Sequence, residues 1–327
     1  MDDDHRGVGR ASEERVSRQP PESAEHRLTQ ELLQTVLPSS RWDDLDFLTW
    51  VYDHDPLGDL VPQNVDRDGK RLCHIGGVPI ELRSANDVGR FLILYNSSSA
   101  PEEQGKGTYV KTLFKLHGKA RDLGFHGMMG VTNAASTGPA TKGFKARMLG
   151  ALPAKLCVPT TLRAPGHTHH PADPAFLATT DFEKIVDELD ASPAGHWTQR
   201  WTPEVMAWRL QWPGQSYTMH VGPDLVAIST TTSFKGVPLA VMLKVLPRAG
   251  KRGPLPSDQM ITAICRHHRA PALVYAGYNA NVPVKGFRLR QDRIPSPLNL
   301  LFLSTSEYVD TDTFRFETFE FLDFDAY

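Results

Sequence analysis

The stretch SSSAPEEQGKGTYVKTLFKLHGKARDLGF (Ser97–Phe125) sets a Gly-x-Gly turn between an apolar run and a helical pattern. The run before it, RFLILYNSS (90–98), reads as a buried strand. The pattern after it predicts a helix from about Lys106 to Leu123. The first-turn amides of a helix have no intrahelical acceptor, and the positive end of the helix dipole lies behind them. Glycine lets a backbone bend close around an anion. A turn of this kind suits a pyrophosphate. It is neither a GxxxxGK[ST] loop nor a GxGxxG fingerprint, because Val110 stands where a third glycine is required. The plain alternative is a capped, solvated surface helix.

Working outward, 327 residues suit two domains of ordinary size. A net charge of -2 gives no global basic field for nucleic acid or membranes, though a local patch remains open. Cys73, Cys157 and Cys265 are odd in number and far apart, which argues against a disulfide framework and fits a reducing cytoplasm. No apolar run approaches the roughly 20 residues that span a bilayer. Met1-Asp2-Asp3-Asp4 is no signal peptide, and residues 1–27 read as a disordered tail.

LTQELLQTVL predicts a helix ending at Pro38. In RWDDLDFLTWVYDHDPLGDL, Trp42, Leu45, Leu48 and Tyr52 share a helical face that ends before Pro56. Asp68-Gly69 predicts a hairpin, and GFHGMMGVTN a further buried strand. PTTLRAPGHTHHPADPAF has no periodicity and predicts a linker over 161–180. Beyond it come two helices, DFEKIVDELD and WTPEVMAWRL, then strands in SYTMHVGPDLVAISTTT and VPLAVMLKVL. A helix over SDQMITAICRHH takes Ser257 as N-cap, PALVYAGYN is a strand, and TFRFETFEFLDFD predicts a terminal alternating strand. Two pairs of segments occur in the same order in both halves. FLTWVYDHDPLG (47–58) parallels VMAWRLQWPG (205–214), and MGVTNAASTGPATKGFK (129–145) parallels YAGYNANVPVKGFR (275–288). This predicts a tandem duplication, with units at 28–160 and 181–327.

Gln104-x-x-Gly107-x-Tyr109, the strand ending at Asn133, and Lys142-Gly143-Phe144 together resemble the GCN5-related N-acetyltransferase (GNAT) superfamily over residues 40–160. The second half is similar in layout. The resemblance implies an α/β fold of mixed sheets, with two tandem GNAT-like domains. In the second, Pro254 and Pro256 interrupt the loop and remove amides, so that domain is degenerate and lacks a usual CoA site. The resemblance also implies an acyl-CoA donor. Gln104, Gly105, Lys106, Gly107, Thr108 and Tyr109 would hold its pyrophosphate. Asn96, Ser97, Gly130 and Val131 would line the acyl slot between two splayed strands. Tyr109 departs from the Gly or Ala usual at that place.

The family's usual base and acid are not visible. The strand Phe91–Ser97 has no carboxylate, and Pro139 stands where the tyrosine is expected. Candidate substitutes are His74, which titrates near neutrality, Tyr95 and Ser136 as proton donors, and Asn133 to orient a carbonyl. Glu81 is a further possible base. Each has a plain reading as a core, turn or surface residue. Lys111, Lys115 and Lys119 share a helix face, which is either solvated or met by an anionic partner. His167, His169, His170 and Cys265, His267, His268 lack a convincing ligand spacing, so no metal is expected. The function expected is N-acyl transfer from a CoA-type thioester to a small-molecule amine. The alternatives are a donor on aminoacyl-tRNA or an acyl-carrier protein, and a non-catalytic acyl-CoA-binding protein.

Overall fold

A computed structural model describes residues 24–324 except 38, 190–194, 252, 291–293 and 295. Helices α1 (Ala24–Val36) and α2 (Asp46–Asp53) precede strands β1 (Val61–Arg67), β2 (Lys70–Arg83) and β3 (Val88–Ser99). Then come α3 (Thr108–Asp122), β4 (Gly127–Thr132), the short α4 (Ala134–Gly138), β5 (Arg147–Ala151) and β6 (Ala154–Cys157). The middle of the chain holds β7 (Thr168–Pro171), α5 (Pro174–Leu177), α6 (Thr180–Asp187), β8 (Thr198–Gln199) and α7 (Pro203–Leu210). It continues through β9 (Thr218–Val221), β10 (Leu225–Phe234), β11 (Val237–Pro247), α8 (Asp258–His267) and β12 (Leu273–Asn279). The last strands are β13 (Phe287–Arg288), β14 (Asn299–Ser304) and β15 (Thr318–Glu320).

Two mixed sheets result. The first runs β1-β2-β3-β4-β14-β5, with β8 beside β2. The second runs β13-β6-β12-β11-β10-β9-β7, with β15 beside β12. The duplication read from the sequence is visible in this order. β1-β2-β3 and β9-β10-β11 are antiparallel meanders, and α3 and α8 each cross over to a parallel strand, β4 or β12. Each half then lends a strand to the other. β14 inserts between β4 and β5, and β6 between β12 and β13. The halves 28–160 and 181–327 therefore do not each own a sheet. An unpaired strand edge exposes a row of amides and carbonyls, and the exchange covers β4 and β12.

The two halves meet at the residues that announced the repeat. Trp50 on α2 and Trp208 on α7 stack with ring centroids 4.7 Å apart. Trp50 Nε1 donates to the Trp208 carbonyl at 3.0 Å, and Trp208 Nε1 donates to the Trp50 carbonyl at 3.2 Å. Such reciprocity is the mark of an isologous contact about a two-fold axis. Around it one large core joins Phe47, Trp212, Met206 and Tyr95 to the aromatic C-terminal segment.

Several expectations need correction. Helix α1 begins at Ala24, inside the expected tail, because the buried Arg71 guanidinium bonds the Glu25 carboxylate, the Glu25 carbonyl and Thr29; the rest of that tail, 1–23, lies outside the described residues. The expected linker carries β7, an edge strand of the second sheet paired with β9. Ser257 does not cap α8 with its side chain; its hydroxyl donates to the Pro283 carbonyl. The terminal alternation yields strand only over Thr318–Glu320. Phe314, Phe316, Phe319, Phe321 and Phe324 are all buried, and so are Glu317, Glu320 and Asp323. A segment enclosed on both faces has no polar side to alternate with.

Trp50→Ala is expected to cost about 3–5 kcal/mol of stability. Adding Trp208→Ala should cost less than it does alone, with a coupling of about 0.5–3 kcal/mol, because the two share a stack and both hydrogen bonds. Urea titrations of the two single variants and the double variant measure this; strictly additive losses would contradict the reciprocal contact.

Candidate functional site

Strands β3 and β4 pair only at Leu92–Met128 and Ile93–Met129. Beyond that point β3 continues to Ser99 and β4 to Thr132 without pairing to each other. A bulge in β3 accompanies the parting. His74 faces Ser98 and Gly76 faces Tyr95, so Ile75 alone opposes both Asn96 and Ser97. Asn96 takes φ 55°, a left-handed value that asparagine tolerates. The opening lies over α3. Leu94, Tyr109, Leu113, Gly130, Ala140 and Phe144 are among the residues that line a narrow, largely apolar cleft of about 20 Å3.

The glycine turn closes one end of this opening. A 3-10 turn at Pro101–Glu103 brings the chain to Gly105 and Gly107, whose φ values are 78° and 77°. These left-handed values explain why glycine stands at both places. Gly107 is the N-cap of α3 and offers no side-chain acceptor, so the first-turn amides are left for another group. Thr108 Oγ1 donates to Glu103 Oε2 at 2.5 Å, and Arg67 and Lys106 lie 3.6 and 3.7 Å from the other oxygen. The Thr108 bond first, and the two cations after it, hold the Glu103 carboxyl below its usual range. A carboxylate thus already stands near the mouth of the turn, beside two positive charges. Gln104 and Lys106 are exposed, as are Lys111, Lys115 and Lys119 along α3. Lys119 Nζ also donates to the Pro62 carbonyl at 3.2 Å.

The expected site residues fall into two groups. Gly130 and Tyr109 line the cleft, and burial pushes the Tyr109 hydroxyl up to about 12. Gln104 to Thr108 form the turn. Ser97 meets Tyr109 through its hydroxyl, whereas the rest point elsewhere. Val131 packs against the main core, and Tyr95 is buried within it. Asn96 Nδ2 donates to the Tyr52 hydroxyl at 2.9 Å, on α2. His74 is 1% exposed and held by Tyr52 at 2.8 Å and the Asn64 carboxamide at 2.7 Å. Burial first, and Arg71 second, push His74 down to about 3, so it is a neutral core histidine. Asn133 and Ser136 form a capping box on α4, where each side chain accepts the other's backbone N–H. Glu81 pairs with Arg200 at 2.9 Å.

Sequence reasoning missed Asp55. It lies in the segment between α2 and β1. Asp55 is 9% exposed, its Oδ2 has no partner, and burial pushes its carboxyl up to about 7. The signal in DHDPLGD was a carboxylate just before a proline turn, which composition cannot tell from a surface loop.

In the second half the corresponding opening is filled. β11 and β12 pair over Ala240–Met242 and Leu273–Tyr275, then part. Asn279 Nδ2 reaches the Val245 carbonyl at 2.8 Å across the gap. Lys244, fully buried, lies 3.1 Å from Glu320 and 2.7 Å from Asp323 of the C-terminal segment. Burial alone would strip its proton, but Asp323 and Glu320 more than offset this and raise its pKa. Burial pushes Glu320 up to about 7 against the pull of Lys244, and Tyr275 donates to it at 3.0 Å.

No protein-family model and no curated protein matches the chain. Solved structures match its fold. A GCN5-related N-acetyltransferase from Anabaena variabilis superposes with a TM-score of 0.58 at 7% identity, covering 86% of this chain and 70% of that one. One from Kribbella flavida gives 0.57 at 11%, covering 84% and 67%. Eis1 from Mycobacterium abscessus gives 0.51 at 10%, covering 86% and 72%. The chain has a tandem GNAT-like fold whose second unit has lost the opening. Among the described residues no helix is long and apolar enough to cross a membrane.

Lys244→Met is expected to destabilise by about 3–5 kcal/mol, because it leaves two carboxyl groups buried without their cation. Combining it with Glu320→Gln and Asp323→Asn should recover most of that loss. Denaturant titrations measure both; a mild single variant would remove the ion cluster from its structural role.

Proposed function

We propose that the chain is an N-acyltransferase that moves an acyl group from a CoA-type thioester to the amine of a small molecule. The observation that carries this is the parting of β3 and β4 beside a glycine turn whose first helical amides have no internal acceptor. The turn is suited to the pyrophosphate, and the strand edges between Leu94–Ser99 and Gly130–Thr132 offer unpaired backbone groups to the pantetheine arm. The cleft is too narrow to admit that arm as it stands, so the side chains of Leu94, Tyr109 and Phe144 must move on binding.

The amine nitrogen attacks the thioester carbonyl carbon, the carbon–sulfur bond breaks, and the thiolate leaves with a proton. The attacking nitrogen must first be neutral. Among the described residues no carboxylate or histidine lines the cleft, so solvent is the proton acceptor this reading assigns. His74 is too buried for the part. The exposed lysines at 111, 115 and 119 favour a second reading, in which the donor is a larger anionic body such as an aminoacyl-tRNA or an acyl-carrier protein.

Acetyl-CoA at 100 times its Kd should stabilise the protein by about 2.7 kcal/mol in a thermal-shift assay. Gly107→Val, which forces a branched side chain to a φ of 77°, should abolish that shift while the variant still melts cooperatively. An undiminished shift in the variant would remove the turn from the binding site.

A further inference from the structure

Two histidine segments that seemed unrelated in the sequence come together at the edge of the second sheet. On β7, His169 Nδ1 lies 2.7 Å from His220 Nδ1 on β9. His220 Nε2 lies 2.7 Å from Ser229 Oγ on β10, and Ser229 Oγ lies 2.7 Å from His268 Nε2 at the end of α8. His267 closes the group, with its ring centroid 4.7 Å from that of His169, 4.8 Å from His268 and 5.3 Å from His220. His220 and Ser229 are fully buried, while His267 is exposed. Among the described residues no three histidines, cysteines or carboxylates converge on a metal point.

We propose that His169, His220, Ser229 and His268 form an acid-sensitive latch that holds β7, and with it the connector 158–173, against the second sheet. The protons decide how it works. A neutral imidazole has one N–H and one lone pair. The chain can run from His268 through Ser229 and His220 to His169, or the reverse, with every member neutral and every bond made. One added proton leaves a continuous chain. Two added protons, on His169 and His268, would make both ends donors toward His220, and one bond must break.

Among the described residues the charges that act on His169, His220 and His268 from outside the bonded chain are those of further histidines, His167 and His170 from β7 and its approach and His267 from α8. The nearest acids in sequence are engaged elsewhere. Asp173 caps α5, Asp224 pairs with Lys251, and Asp258 accepts from Thr160. Burial and the other histidines push His220 down to about 2 and His268 to about 4, and lower His169. The closed form thus binds fewer protons than the open form, whose histidines keep their ordinary value near 6.5. Closure is favoured above that value and weakens as pH falls below it. What lets go is a four-residue edge strand, together with a connector tied to α8 by Thr161–Thr262 and by Arg266 to the Leu162 carbonyl.

Hydrogen exchange of the full chain, read by mass spectrometry and corrected for the intrinsic pH dependence of exchange, tests this. Between pH 7.5 and 5.5 the amides of 168–170 should lose protection at least tenfold, while β1–β3 keep theirs. In His169→Gln/His268→Gln the loss of protection at 168–170 over that range should be clearly smaller than in the wild type, since His220 is the one member of the bonded chain left to titrate. If that variant fails to fold, the wild-type comparison of 168–170 with β1–β3 still decides. Unchanged protection of 168–170 in the wild type, an equal loss in β1–β3, or the same loss in a folded double variant would each overturn the latch.

Discussion

The reciprocal contact of Trp50 and Trp208 is the constraint on which the architecture turns. Each indole donates to the other's backbone, so neither helix can shift without breaking both bonds. The stack fixes α2 against α7. Arg41 over Trp212 and Arg209 over the same ring extend the aromatic wall. The strand exchange then locks what the tryptophans align.

From this near-symmetric frame the halves diverge. Both have a parallel pair that parts after two or three residues. In the first half the parted strands stay apart, with apolar walls and a glycine turn. In the second the chain's own C-terminal segment enters and brings carboxylates to Lys244. A buried ion cluster is a poor source of net stability, but it commits that segment to one place. One unit is left as the candidate binding unit and the other as its support.

Much of this was legible in the sequence. Gly105 and Gly107 needed left-handed conformations, and the chain supplied both glycines. The repeat was carried by Trp, Asn and Lys-Gly-Phe, and Trp50, Trp208, Asn133 and Asn279 prove to be structural pivots. The site chemistry was less legible, because it depends on burial. His74 and Asp55 both belong to ordinary polar stretches, yet burial makes one histidine neutral and one carboxyl titrate near neutrality. The histidines of GHTHH and CRHHR each lacked a second half because that half was the other segment, joined through His220. The strand exchange was illegible for a similar reason: β6 and β14 are short apolar runs that do not name their partners.

That exchange bears on how the chain is made. A ribosome releases β4 and β5 long before β14, which must sit between them. About 150 residues separate Ala151 from Asn299, roughly 8–30 s of synthesis. Through that interval the first sheet is a half-built surface with a bare apolar edge, open to chaperones or to a neighbouring nascent chain. Its completion waits for the other half, so the two units mature together although their sequences emerge one after the other.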